Sequence, residues 1–75
     1  MTYLMTNIEI EKFKTDRYYY FSLCVYVSRS RGTESEAIAC QHLRDVMIAL
    51  NYPYETKFWD DERTLMYADN IVMMG

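Results

Sequence analysis

The sequence predicts a small α+β domain: an antiparallel β-sheet with one helix packed on one face, in the order β-β-α-β-β. Three observations predict it. Residues 3–28 alternate an aliphatic set with a set of tyrosine, methionine and acid about a short polar stretch. Residues 33–50 carry a helical stripe behind a capping signal, and residues 54–68 return to alternation.

The first element is a hairpin over residues 3–28. A loop at Lys14-Thr15-Asp16-Arg17 brings Ile10 opposite Phe21, Ile8 opposite Leu23, Thr6 opposite Val25 and Leu4 opposite Val27. The alternate pairs are Phe13–Tyr18, Glu11–Tyr20, Glu9–Ser22, Asn7–Cys24 and Met5–Tyr26. One face is then aliphatic and the other carries tyrosine, methionine and acid. A slip of one residue would mix the two sets, so side-chain alternation selects this register.

A polar connection, Arg29-Ser30-Arg31-Gly32, leads to Thr33-Glu34-Ser35-Glu36, which has the form of a capping box. Thr33 is placed to accept from the Glu36 N–H while Glu36 reaches back to that of Thr33. The helix runs to about Leu50, with Asn51 as a left-handed C-terminal residue and Pro53 blocking continuation. Its buried stripe is Ala39, Cys40, Leu43, Val46, Met47 and Leu50, opposed by Glu34, Gln41 and Asp45. Ile38 and Ile48 also fall towards the polar side.

Tyr54-Glu55-Thr56-Lys57-Phe58-Trp59 reads as a strand, Asp60-Asp61-Glu62-Arg63 as a solvated loop, and Thr64 to Ala68 as the returning strand. The competing reading starts a helix at Asp60, with acids in its first turn and Leu65, Ala68 and Val72 on one face. Residues 71–74 form a short strand or an apolar tail.

All 75 residues are expected to make one domain with a thin core. The hydrophobic content of 51% excludes a disordered chain. With two glycines and one proline, long loops have little room. Eleven acids against eight bases give a net charge of −3, and the bases form no stripe, which disfavours direct binding to nucleic acid. The start MTYLMTNIEIEKF lacks the pattern of a signal peptide, and no apolar run is long enough to span a bilayer. In the hairpin register Cys24 lies on the outer sheet face while Cys40 lies on the helix's buried stripe. Reduced thiols and a cytoplasmic location follow, in the host cytoplasm if the chain is viral.

No catalytic residue, cofactor or metal site is expected. His42 is the only histidine, and Cys40 lies two positions from it, on a different helical face. Two cysteines and one histidine without close-spaced pairs do not suit zinc. Phosphate-binding loops need more glycine than Gly32 and Gly75 supply. The acids at 60–62 lack the ligand number and spacing of a calcium loop.

The candidate binding residues are therefore surface ones. Tyr18, Tyr20 and Tyr26 share the outer sheet face with Met5, Glu9 and Glu11, and Trp59, Asp60, Asp61 and Glu62 stand at the second hairpin. Exposed tyrosine supplies contact area with few rotors, which suits a protein interface. Its high β-propensity alone would also place it on a half-exposed sheet. Base stacking by an RNA-binding module is the weaker use of such a platform, because Glu9 and Glu11 repel phosphate. Small size and unassigned apolar surface, including Ile38 and Ile48, predict a homodimer and make a homo-oligomeric accessory subunit the alternative role.

In general character (short, acidic, compact, without catalytic motifs) the chain is similar to the small inhibitors that bacteriophages encode, anti-CRISPR proteins among them. No diagnostic motif carries that likeness. It implies a non-catalytic protein that binds a protein target, such as a host nucleoprotein complex, and covers a basic groove through charge complementarity.

Overall fold

In the computed structural model, which describes residues 16–74, three α-helices and a 3₁₀ turn replace the expected sheet. The order is α1 (Arg17–Arg29), α2 (Glu36–Ala49), the 3₁₀ turn (Tyr54–Phe58) and α3 (Asp61–Met74). Among the described residues there is no strand. The α+β class with its antiparallel sheet is therefore corrected to an all-α arrangement. The partner strand of the first hairpin, with Met5, Glu9 and Glu11, lies outside the described residues.

The segment expected as the second strand is α1. Asp16 starts it: its Oδ1 accepts from the N–H groups of Tyr18 (3.0 Å) and Tyr19 (3.3 Å). Leu23, Cys24 and Val27 are buried, with Tyr20 packed beside them. Those positions are three and four apart, so they make a helical stripe within a run that also alternates. In a run this rich in apolar residues both periods fit, and packing decides between them. The inward set includes Cys24, expected on the outer face; it is fully buried.

The stripe expected on α2 is the centre of the core. Ala39, Cys40, Leu43, Val46 and Met47 are all buried, and Leu50 packs at the margin. The entry to the helix differs from the capping box by a shift in partners. Glu36 Oε1 accepts from the Gly32 N–H (3.1 Å) and Thr33 Oγ1 from the Ser35 N–H (3.2 Å). Gly32 has φ +78°, which turns its N–H towards Glu36 in place of that of Thr33. The exit is as expected. Asn51 has φ 66°, its N–H donates to Ile48 O, and the Tyr52 N–H donates to Met47 O, both at 3.0 Å.

Both strands expected after Pro53 are helical instead. Residues 54–58 wind into the 3₁₀ turn against α2, with Thr56 buried and its hydroxyl donating to Pro53 O at 2.9 Å. Asp60 then opens α3, since its Oδ1 accepts from the Arg63 N–H at 2.8 Å. The competing helical reading of this third is the correct one: Leu65 and Ala68 are buried and Val72 packs at the core's edge. Residues 71–74 are the last turn of α3, with Ile71 inward and Met73 and Met74 exposed.

α1 meets α3 along more of its surface than it meets α2. Polar contacts fix that pairing at one end, where Asp69 accepts from Ser28 Oγ and from Arg31 Nη2 (2.7 Å). Between α2 and α3, Arg44 is only 8% exposed and donates to Asp61 Oδ1 (3.1 Å), Thr64 Oγ1 (3.0 Å) and Gln41 Oε1 (3.2 Å). A buried guanidinium with three acceptors is tolerated because its charge is paired and its donors are used. No described helix is long and apolar enough to cross a membrane.

Candidate functional site: an aromatic cleft at the start of α3

Two rows of three residues at a spacing of four, on α3 and its lead-in, shape an open surface feature. Trp59, Arg63 and Tyr67 form one row; Glu62, Met66 and Asn70 form the other. Side chains four apart lie on one helical face, and these two rows, with Phe58 and Asp60, line an open cleft of about 740 Å³. Phe58 is 72% exposed and Met66 55%, so the cleft presents apolar surface to solvent.

The floor is rigid. The Trp59 and Tyr67 rings pack with centroids 5.7 Å apart and tilted by 54°. The Tyr67 and Tyr20 hydroxyls share a hydrogen bond of 2.8 Å across to α1, and the Tyr20 ring leans on Tyr52 with centroids 6.2 Å apart. Burial, and then its bond with Tyr67, pushes the Tyr20 phenol well above its usual range; burial raises Tyr67 as well. The hydroxyl bond ties the floor of the cleft to α1.

The rim is charged. The Arg63 guanidinium lies over the Trp59 ring, 5.3 Å from its centroid. Asp60 and Glu62 bring carboxylates to the same cleft. Beside it, Tyr54 and Phe58 meet edge to face at 5.7 Å, with Lys57 Nζ 5.3 Å above the Tyr54 ring.

Of the residues singled out from the sequence, Trp59, Asp60 and Glu62 come together in this cleft. Asp61 does not: it turns to Arg44 on the other side of α3. The expected solvated loop at 60–63 is thus corrected, because Asp60 caps a helix and Asp61 pairs with a buried cation. Tyr18, Tyr20 and Tyr26 do not form one platform. Tyr18 and Tyr26 are exposed, whereas Tyr20 packs inward. The sheet face on which base stacking would rely is absent from this segment. Tyr26 instead lines a smaller hollow of about 280 Å³ with Tyr19, Ser22, Leu23 and His42. Phe58, Arg63, Met66, Tyr67 and Asn70 stand outside the sequence-derived set; the signal for those on α3 is the spacing of four that follows once a helix starts at Asp60.

The nucleophile candidates are separated. The Cys40 thiol donates to Asp61 O at 3.8 Å, towards α3, while His42 lines the hollow against α1. Burial pushes Cys24 up to about 12 and Cys40, with help from the Asp61 charge, to about 11. Both are free thiols. Among the described residues, no three His, Cys, Asp or Glu side chains are placed to hold a metal ion. Compared with protein-family models, with curated proteins and with solved structures, the chain matches none of them.

Proposed function

We propose that this chain is a non-catalytic protein-binding module that contacts its target through the cleft at the start of α3. The observation that carries the reading is the convergence of Trp59, Phe58, Met66 and Tyr67 on one open hollow with a braced floor. Tryptophan, tyrosine and methionine at the centre of a polar rim have the composition of an interface hot spot. The flexible Met66 side chain adds adaptable contact. The finer reading is an inhibitor of the bacteriophage kind, anti-CRISPR-like, that covers a basic surface of a host nucleic-acid-handling complex in the host cytoplasm. What supports it is the net charge of −3 together with the carboxylates of Asp60 and Glu62 at the cleft.

Site-specific photocross-linking tests the reading. A photoreactive residue at position 58 or 66 should trap one and the same protein, and a probe at Ile38, exposed on α2 outside the cleft, should not. Met66→Glu should abolish that capture. Cross-links from 58 and 66 to a second copy of this chain would replace the reading with self-association. Equal capture from all three positions would reject the cleft as the contact surface.

A further inference from the structure

Trp59 is the only tryptophan in the chain, and one face of its ring already holds a cation. That cation is the chain's own Arg63. Among the described residues Arg63 makes no ion pair with a carboxylate, although Asp60 and Glu62 line the same cleft. The contact of its guanidinium is with the indole face. At an exposed site such a contact is worth about two- to five-fold in occupancy, so Arg63 is easily displaced.

The carboxylates beside it are only partly engaged. The Glu62 side chain is 69% exposed and lies 3.6 Å from Arg31, whose short contact of 2.7 Å goes to Asp69. Asp60 uses Oδ1 on the Arg63 N–H. The cleft therefore offers an aromatic face that attracts cations, a second ring at 5.7 Å and carboxylates at its edge. A volume of about 740 Å³ exceeds one side chain and leaves room for the residues flanking an anchor.

We infer that Arg63 is a placeholder, and that the cleft takes an arginine side chain of the partner protein, which stacks on Trp59 in its stead and pairs with Glu62. Guanidinium fits better than ammonium because it is planar and weakly hydrated, stacks on aromatic faces and presents a donor fork to carboxylates. The inference rests on the cleft's being the docking surface, and it adds the chemistry of the anchor.

Trp59 fluorescence reports directly on this exchange. The probes are N-acetyl-arginine amide and N-acetyl-citrulline amide, which share a shape and differ in charge. The arginine amide should change Trp59 emission saturably, and the citrulline amide should not. Arg63→Ala should tighten arginine amide binding about two- to five-fold by freeing the ring face; Arg63→Gln, which keeps a polar side chain but not the charge, should do the same. Glu62→Gln should weaken it. An equal response to citrulline amide, or no gain in either Arg63 variant, overturns the inference. If cross-linking succeeds at 58 and 66 while arginine shows no preference, this inference alone fails. If arginine is preferred but no protein cross-links, the docking reading fails and the partner's arginine with it.

Discussion

Asp61→Asn should destabilise the fold, although Asp61 sits in an acidic run that reads as a solvated loop. The carboxylate accepts from Arg44 Nη1 at 3.1 Å, with the arginine side chain 10% exposed and the aspartate 38%. Depriving a fully buried charge of its partner costs about 3–5 kcal/mol. Two features reduce that here. Water reaches the Asp61 side of the pair, and Arg44 keeps its donations to Thr64 Oγ1 at 3.0 Å and Gln41 Oε1 at 3.2 Å. The expected loss is then about 1–2 kcal/mol, equivalent to a fall in Tm of about 4–16 °C for a domain of this size. Urea denaturation followed by far-UV circular dichroism measures it. Glu62→Gln is the internal control, since that neighbouring carboxylate is exposed and should leave the midpoint unmoved. Arg44→Met combined with Asp61→Asn should cost less than the two changes added, because no unpaired buried charge is left. An Asp61→Asn midpoint equal to the parent's would refute the reasoning and return Asp61 to the solvated surface.

Three further outcomes concern the backbone and the thiols. At Asn51, whose φ is 66°, Asn51→Gly should hold or raise stability while Asn51→Ala should cost about 1 kcal/mol, as read from thermal midpoints. Burial pushes the Cys24 thiol up from an ordinary 9.0 to about 12, so the folded state favours its neutral form. That contribution is complete below pH 9.0 and is lost as pH rises towards about 12. Stability should therefore fall through that alkaline window, and less so in Cys24→Ala when each variant is compared with its own value at neutral pH. Native thiols should react slowly with a disulfide reagent below pH 9.0 and rapidly in denaturant.

The buried stripe and the exit of α2 were legible because three signals there agree. The apolar stripe has one period, Asn51 supplies the left-handed turn and Pro53 stops the chain. The run from Tyr18 to Val27 was not. Aromatic and β-branched residues fill it so densely that periods of 2.0 and 3.6 both find apolar positions, and intrinsic propensity points to strand. Burial of Leu23, Cys24 and Val27 against the other helices overrides that preference. From residue 60 onward the two readings differed in whether Asp60 opens a hairpin loop or caps a helix, and its side-chain bond to the Arg63 N–H shows the second. The candidate site was legible in pieces. Trp59, Asp60 and Glu62 stood out by residue type, but grouping them with Arg63, Met66 and Tyr67 required the helical period that the strand reading suppressed. Asp61 is the clearest failure: composition cannot reveal that one acid of three faces a buried arginine.

The hydroxyl bond between Tyr20 and Tyr67 joins residues 47 positions apart. Closing a loop of that length costs about 3 kcal/mol in chain entropy by the logarithmic rule, so contacts between α1 and α3 carry the largest ordering penalty in this topology. The wall of the cleft belongs to that same closure, because Tyr67 lines the hollow with its ring and reaches α1 with its hydroxyl. Occupying the cleft and docking the first helix are therefore thermodynamically linked. A ligand that binds only the closed form draws α1 onto α3 by mass action, and it should slow amide hydrogen exchange in Leu23 to Val27, far along the chain from where it sits.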